Sequence, residues 1–172
     1  MLDIIVNNSM ISGLEGKVGS NPRVVRIYPE DIEFTQDELI TKSLPEGCKP
    51  GDLIVDEIKG RKIFVIVFEI EKATDRNDLA SLSFLLEKDV VEKDFEILTS
   101  ELIDFLKKRD LLYINYLEEQ LPAILSGFNE TKKIKFKNLE TNEDYEFDVS
   151  TIIKEKKLKL KTKARKTRGG FL

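Results

Sequence analysis

The sequence predicts an α+β fold: an α/β sandwich whose five-stranded antiparallel sheet has one helix inserted after strand 2 and two helices after strand 5. Two observations predict it. The stretch Ile63–Leu86 holds two apolar runs separated by the polar break Ala73–Asp78, as in two neighbouring strands joined by a turn. Helical spacing of apolar residues then begins at Val91.

The central strand of this sheet is predicted at Ile63–Phe68. All six of its residues are β-branched or aromatic, which indicates a strand buried on both faces. The second run, Leu79–Leu86, alternates serine with leucine and phenylalanine and predicts the next strand. The alternative interpretation is a helix over Leu79–Lys88 with Asp78 as its N-cap.

The first part of the chain predicts two strands, a short helix and a third strand. Leu2–Val6 is apolar and predicts the first strand, whereas Asn7–Asn21 is rich in Gly, Asn and Ser and predicts a loop. Its glycine spacing lacks the pattern of a dinucleotide-binding or phosphate-binding loop. Thr35 followed by Glu38 predicts a capping box. The later elements are a second strand within Pro22–Pro29, a helix over Thr35–Ser43, a third strand over Asp52–Ile58 and a tight turn at Lys59–Arg61.

Two helices and a hairpin are predicted after the sheet. Apolar residues at three- and four-residue steps form one stripe in Val91–Leu106 and another in Ile114–Leu125. Pro122 interrupts the second stripe, so we expect a kink or two short helices that end near Gly127. Lys132–Val149 alternates again and predicts a hairpin with one basic and one acidic arm, whose cross-strand pairs set its register.

Composition restricts the chemistry of the protein. None of the 172 residues is histidine, so the usual base of nucleophilic triads and the commonest metal ligand are missing. Cys48 is the single cysteine, which excludes an internal disulfide. We therefore expect no catalytic residue, no cofactor, no metal site and no enzyme. The sequence has no apolar run long enough for a membrane span and no signal-peptide pattern, so we expect a cytoplasmic protein.

A basic tail is predicted to follow an acidic body. Nine of the 28 basic and one of the 32 acidic residues lie in Lys154–Leu172, which gives this segment a net charge of +8 and the preceding residues −12. The tail is predicted to be disordered, with a strand at Lys157–Lys161 as an alternative. The residues predicted to bind an anionic partner are Lys154, Lys156, Lys157, Lys159, Lys161, Lys163, Arg165, Lys166 and Arg168.

Local sequence and element order together resemble a known family. Asn21–Pro29 ends a strand in Tyr-Pro, Ser43–Gly47 is a short element with Leu-Pro, and a Gly-Arg turn joins the two strands that follow. This pattern resembles the longin fold, of the type that opens DENN domains, over residues 1–128. A β-hairpin extension (129–153) and the basic tail (154–172) lie outside the resemblance. The longin fold implies the strand order 2-1-5-4-3.

The resemblance implies a non-catalytic adaptor or scaffold in membrane traffic or small-GTPase regulation. Longin-type domains pair with a longin or roadblock-like subunit, form homodimers, or bind a small GTPase or peptide. Two alternatives stay open. The tail binds an anionic membrane, which makes the protein peripheral there, or RNA, for which few aromatic residues are present. Otherwise Arg168–Leu172, with its diglycine, ends a ubiquitin-like precursor.

Overall fold

The predicted α+β class is confirmed by a computed structural model, which describes residues 6–13, 23–70, 78–86 and 92–155. Within these ranges the elements are β1 (Val6–Gly13), β2 (Arg23–Tyr28), α1 (Gln36–Ser43), β3 (Leu53–Ile58), β4 (Arg61–Ile70), β5 (Asp78–Leu86), α2 (Glu92–Lys107), α3 (Ile114–Glu130), β6 (Lys133–Lys137), β7 (Asp144–Asp148) and α4 (149–155).

The strands form two antiparallel sheets. One has five strands in the order β2-β1-β5-β4-β3, and the other pairs β6 with β7. β4 and β5 share the longest ladder, from Lys62 opposite Leu86 to Ile70 opposite Asp78. The prediction of a strand at Leu79–Leu86, and not a helix, is therefore confirmed. Both of these strands have a neighbour on each side, which suits their long apolar runs.

The first strand lies later in the chain than predicted. The sequence predicts a loop from Asn7, but β1 continues to Gly13 and pairs with both β2 and β5. The prediction is wrong here because Asn, Ser and Gly have low strand propensity, whereas pairing on both sides satisfies the backbone for any side chain. Leu2–Ile5 and residues 14–21 of the predicted loop lie outside the described residues.

Alternation along β4 divides the apolar core between two faces of the sheet. Phe64, Ile66 and Phe68 point to the face covered by α2 and α3. Ile63 and Val65 point to the opposite face, which is covered by α1. All five are at most 5% exposed, so the five-stranded sheet is the middle layer of a sandwich. We call the two sides the α2/α3 face and the α1 face.

Helix α1 begins where the sequence predicts. The Glu38 N–H donates to the Thr35 hydroxyl, and the Thr35 N–H donates to the Glu38 carboxylate, each at 3.2 Å, which completes the predicted capping box. Only two residues of this eight-residue helix are buried. Ion pairs tie it to the β3–β4 hairpin: Lys42 with Asp56 at 2.9 Å and Glu38 with Lys59 at 3.0 Å.

An aromatic cluster forms the centre of the α2/α3 face. The Phe95 ring of α2 lies 5.0, 4.8 and 5.7 Å from the ring centroids of Phe64, Phe84 and Phe128, in each case edge to face. All four side chains are at most 1% exposed. Such aromatic pairs contribute about 0.5–1.5 kcal/mol beyond the burial of their area.

Helix α3 passes through Pro122 without a break, so the expected division into two short helices is wrong. Proline has no N–H, which leaves the Glu118 carbonyl without its helical donor. Arg26 of β2 takes that place, since its Nη1 donates to Glu118 O at 2.6 Å. A side chain from the sheet thus satisfies the freed carbonyl, and the helix continues to Glu130.

The predicted helix end at Gly127 is also wrong. The left-handed residue that ends α3 is Thr131, with φ 51°. Gly127 does not cap the helix but lies within it, against β6. A Cβ at this position would overlap the side chain of Ile134 in β6. Glycine at this position lets the hairpin approach the helix closely.

Strands β6 and β7 form the predicted hairpin. The predicted pairing of a basic with an acidic arm is confirmed, because each lysine of β6 lies opposite an acid of β7. The pairs are Lys133 with Asp148, Lys135 with Glu146 and Lys137 with Asp144.

The inner face of the hairpin covers α2 and α3 from outside. The Phe105 ring of α2 lies 5.9 Å from that of Phe136 and 5.2 Å from that of Phe147. The Arg109 guanidinium lies 3.6 Å from the Phe105 centroid and 5.2 Å from that of Tyr145. The hairpin therefore completes the same apolar core as the α2/α3 face.

Helix α4 was not predicted. Asp148 caps it, because its Oδ1 accepts the Thr151 N–H at 3.2 Å. Val149 and Ile153 are buried in the shared core. An Asp followed by apolar residues four positions apart is the signal that could have found it. Lys154 and Glu155, the first two residues of the predicted tail, belong to this helix.

Candidate functional site

The nine basic residues predicted to bind an anionic partner are not brought together by the described part of the chain. Lys154 lies exposed in α4, and the other eight, from Lys156 to Arg168, lie outside the described residues. Their role stays a prediction.

Groups that could carry chemistry are sparse in the ranges that the structure describes. There, no three His, Cys, Asp or Glu side chains are placed to hold a metal ion. Nor is any helix of these ranges long and apolar enough to cross a bilayer. Burial, followed by the nearby charge of Asp52, raises the pKa of the Cys48 thiol. Cys48 therefore keeps its proton at neutral pH, which makes it a poor nucleophile.

One feature that can bind another chain is β3, which is one of the two edge strands of the five-stranded sheet and pairs, among the described residues, with β4 alone. In an antiparallel ladder, alternate residues direct both backbone groups to the same neighbour. The Val67 N–H donates to Asp52 O at 3.0 Å, which fixes that alternation. Leu53, Val55 and Glu57 therefore direct their N–H and C=O groups away from the sheet.

Asp56 occupies one end of this open edge. Its Oδ1 accepts the Glu57 N–H at 2.7 Å, and its Oδ2 accepts from Lys42 at 2.9 Å. The hydrogen bond from Lys42, followed by that from the Glu57 N–H, holds the pKa of Asp56 below its ordinary value. Among the described residues, no group meets the outward N–H and C=O of Leu53 and Val55.

The side chains of β3 combine apolar and acidic surface. Val55 is 42% exposed although it is apolar. Asp52, Asp56 and Glu57 are acidic, and no base lies between positions 52 and 58. Acidic side chains on an edge strand repel another acidic strand. This composition therefore disfavours pairing with an acidic strand and favours pairing with a basic one.

A cleft runs beside the edge on the α2/α3 face. Ile66 and Phe68 of β4 and Ile103 and Lys107 of α2 line it, and its volume is about 240 Å³. Pro50 and Gly51, which precede β3 in the chain, also line the cleft, as do the acidic residues Glu69 and Asp104. A second cleft of about 320 Å³ shares Lys107. Both are open to solvent, whereas small-molecule sites bury most of their ligand, so these clefts suit side chains of an extended segment.

The edge position of β3 could not be read from the sequence. Asp52–Ile58 is predicted as a strand, but the place of a strand in a sheet depends on pairing with distant residues. The one available signal is the run of acids without a base, because natural edge strands carry charges.

Comparison with known proteins adds no relative. No model of a known protein family matches the chain, and no curated protein matches it. The candidate site therefore rests on geometry: a strand edge that is open among the described residues, with the exposed Val55, the acids Asp56 and Glu57, and a cleft nearby.

Proposed function

We propose that this protein is a non-catalytic, longin-like adaptor or scaffold that binds a protein partner along the edge of β3. The observation that carries the proposal is the edge at Leu53 and Val55, which is open among the described residues and has a cleft of mixed polar and apolar lining near it. Extended segments bind such edges by adding a strand, because the backbone groups supply hydrogen bonds and the cleft accepts alternate side chains.

The order of the elements supports the longin-like part of the proposal. One helix follows β2, two helices follow β5, and the strands lie in the order β2-β1-β5-β4-β3. A fold hosts many functions, so the partner class comes from the resemblance alone. It is a small GTPase, or a longin or roadblock-like subunit, in membrane traffic or small-GTPase regulation.

The variant Val55→Pro tests the edge. The Val55 N–H points away from β4, so proline removes a donor from the open edge and leaves the ladder to β4 intact. Val55→Ala keeps the N–H and is the matched control. In calorimetry with purified small GTPases and longin or roadblock-like subunits, we expect Val55→Pro to weaken binding about tenfold, the effect of one hydrogen bond.

Two results would contradict the proposal. One is that the wild-type chain binds none of these partners. The other is that Val55→Pro binds its partner as well as Val55→Ala does, while circular dichroism shows that both variants are folded.

A second proposed function belongs to the tail. Its nine bases support binding to an anionic membrane or to RNA, and each base near an anionic membrane is worth about 1 kcal/mol. Liposome flotation and RNA mobility shifts would compare the wild-type chain with a variant in which Lys157, Lys159 and Lys161 are glutamine. Equal binding by the two would contradict this function.

A further inference from the structure

We infer that α1 is a lid, which lifts from the sheet while the rest of the fold stays intact and so admits water to the buried hydroxyls of Ser81 and Ser83. The inference goes beyond the proposed function and does not depend on it. It assigns to the α1 face a conformational change that the α2/α3 face does not undergo.

Helix α1 has little apolar contact with the sheet for a helix that covers one of its faces. Leu39 and Ser43 are the buried residues among its eight, and Ile40 is half-buried. Because the free energy of burial grows with the apolar area removed from water, α1 is held less firmly than α2. The apolar side chains that α2 buries are Phe95, Leu98, Leu102, Ile103 and Leu106.

The polar contacts between α1 and the sheet include two ion pairs that water reaches. Lys42 Nζ lies 2.9 Å from Asp56 Oδ2, and Lys59 Nζ lies 3.0 Å from Glu38 Oε1. The four side chains are between 34% and 58% exposed. Exposed pairs contribute little to stability because solvent screens them. They orient α1 on the β3–β4 hairpin but do not hold it there firmly.

Ser81 and Ser83 lie on the face of the sheet that α1 covers. Ser81 is opposite Val67 in the β4–β5 ladder. Ser83 is opposite Val65 there, and residues directly opposite each other direct their side chains to the same face. Both valines belong to the buried cluster that contains Leu39 of α1, and α1 contacts β5 as well as β4. The two serines therefore lie beside the apolar contacts that hold α1 in place.

The two hydroxyls favour the open lid. Both serines are 0% exposed, and the described part of the chain offers neither hydroxyl a hydrogen-bond partner. A buried hydroxyl of this kind has lost its hydrogen bonds to water and recovers them when water enters. Rehydration of both hydroxyls therefore offsets part of the cost of exposing apolar surface. Thr99 on the α2/α3 face gives no such gain, because its buried hydroxyl already donates to Phe95 O at 2.9 Å.

Lys42 connects the lid to the candidate edge. Its ion pair holds Asp56, whose other carboxylate oxygen accepts the Glu57 N–H at 2.7 Å. Glu57 directs that N–H away from the sheet, so Asp56 occupies a donor that an added strand would use. When α1 lifts, Lys42 releases Asp56 and the donor becomes available. This link rests on the proposed function, whereas the lid itself does not.

Thiol labelling of the full-length chain tests whether water reaches the serines without global unfolding. In a Cys48→Ser background, Ser81→Cys and Ser83→Cys each place a thiol under α1, and Thr99→Cys is the matched control under α2. A buried thiol reacts with an aromatic disulfide reagent only in molecules whose structure has opened around it. At urea concentrations that give the variants equal free energies of unfolding, we expect positions 81 and 83 to react at least about tenfold faster than position 99.

Two alanine variants identify the element that opens. Leu39→Ala removes apolar contact from α1, so it should speed labelling at positions 81 and 83 by at least about tenfold. Leu98→Ala weakens the packing of α2 and eases global unfolding. It should leave labelling at positions 81 and 83 unchanged within about twofold, because sites without shared contacts act independently.

Three results of the labelling would overturn the inference. One is that neither serine position reacts faster than position 99 at equal stability. Another is that Leu39→Ala does not speed labelling at these positions. The third is that Leu98→Ala speeds it as much as Leu39→Ala does, which would show that water reaches the serines only when the whole chain unfolds. Circular dichroism checks that each variant is folded, and the two serine positions test the same opening separately.

Hydrogen exchange of the wild-type chain supplies an independent measurement. We expect the backbone amides of α1 to exchange at least about tenfold faster than those of α2. Their exchange should also accelerate with urea, because lifting a lid exposes surface, whereas fraying of a helix end exposes little. Amides of α1 that are as protected as those of α2, or whose exchange does not respond to urea, would overturn the inference.

The lid and the adaptor function fail in different ways. If Val55→Pro weakens partner binding but labelling at positions 81 and 83 requires global unfolding, the lid is wrong and the adaptor function stands. If labelling follows α1 but the wild-type chain binds none of the tested partners, the lid stands and the adaptor function is wrong.

Discussion

The two faces of the sheet differ in how tightly they are packed. On the α2/α3 face, four phenylalanines interlock beneath two long helices, and a hairpin covers those helices from outside. On the α1 face, one eight-residue helix with two buried residues is held by exposed ion pairs. The same face contains Ser81 and Ser83, whose hydroxyls are buried and have no hydrogen-bond partner among the residues that the structure describes.

The two faces contribute unequally to the stability of the fold, and the candidate binding strand β3 is linked to the face that contributes less. A buried hydroxyl without a partner costs about 1–3 kcal/mol, and exposed ion pairs contribute about 0–1 kcal/mol. The α1 face is therefore far from its most stable packing, whereas the α2/α3 face is tightly packed. The open strand β3 is tied by Lys42 and Asp56 to the weaker side.

Matched leucines on the two faces should show the difference most clearly. Leu98 of α2 and Leu39 of α1 are both at most 1% exposed. We expect each change to alanine to lower the free energy of unfolding by about 2–5 kcal/mol, with Leu98→Ala near the top and Leu39→Ala near the bottom. The short helix α1 can shift to fill a cavity, and α2 under its hairpin cannot. Urea unfolding measures both, and equal losses would refute the comparison.

The bond from Arg26 to α3 offers a sharper test of the α2/α3 face. Arg26→Met keeps the length of the side chain but removes the donor to Glu118 O, and should cost about 1.5–3 kcal/mol. Pro122→Ala restores an N–H for that carbonyl, so the same Arg26 change should cost less in its background. A double-mutant cycle measures the coupling, and strictly additive losses would show that the bond does not compensate for proline.

Removing a hydroxyl should stabilise the α1 face. Ser81→Ala deletes a buried hydroxyl for which the described part of the chain offers no partner, and we expect the free energy of unfolding to rise by about 1 kcal/mol. Thr99 is the control, because its buried hydroxyl donates to Phe95 O at 2.9 Å. Thr99→Val should therefore lower stability by up to about 1 kcal/mol. If both changes shift the urea midpoint in the same direction, the hydroxyls do not differ as described.

The smallest expected effect is a dependence on pH. The pKa of Asp56 lies below its ordinary value of 3.8 because of the hydrogen bond from Lys42. Its contribution to stability is present above that ordinary value and is lost as the pH falls through the lower folded value. Because the pair is exposed, we expect Asp56→Asn to lower the free energy of unfolding by less than about 1 kcal/mol at pH 7. In a plot of that free energy against pH, measured by urea unfolding, the variant should lose less stability at acid pH than the wild-type chain does. An equal loss of stability at acid pH in the variant and the wild-type chain would contradict this prediction.

Much of the fold could be predicted where neighbouring residues decide the structure. The apolar runs of Ile63–Leu86, the capping box at Thr35 and the opposed charges of the hairpin are signals of this kind. β1 was misplaced because pairing on both sides, and not its own side chains, makes it a strand. The unbroken helix at Pro122 depends on Arg26, which lies 92 positions from Glu118, the residue whose carbonyl it satisfies.

The candidate site was beyond prediction for the same reason. Asp52–Ile58 is readable as a strand, but its open edge follows from the order of all five strands. The cleft beside it needs the placement of α2 against β4. Only the acids of β3 are local, and acids alone do not indicate a binding surface.

The position of the hairpin in the sequence bears on how a ribosome makes this protein. Synthesis proceeds from the N-terminus, so the sheet, α2 and α3 emerge before β6 and β7. Until the hairpin has been synthesised, the Phe105 ring lacks its contacts with Phe136 and Phe147. The nascent chain then exposes apolar surface that chaperones bind. Translation arrest before Phe136 would therefore yield an aggregation-prone fragment and not a smaller working unit.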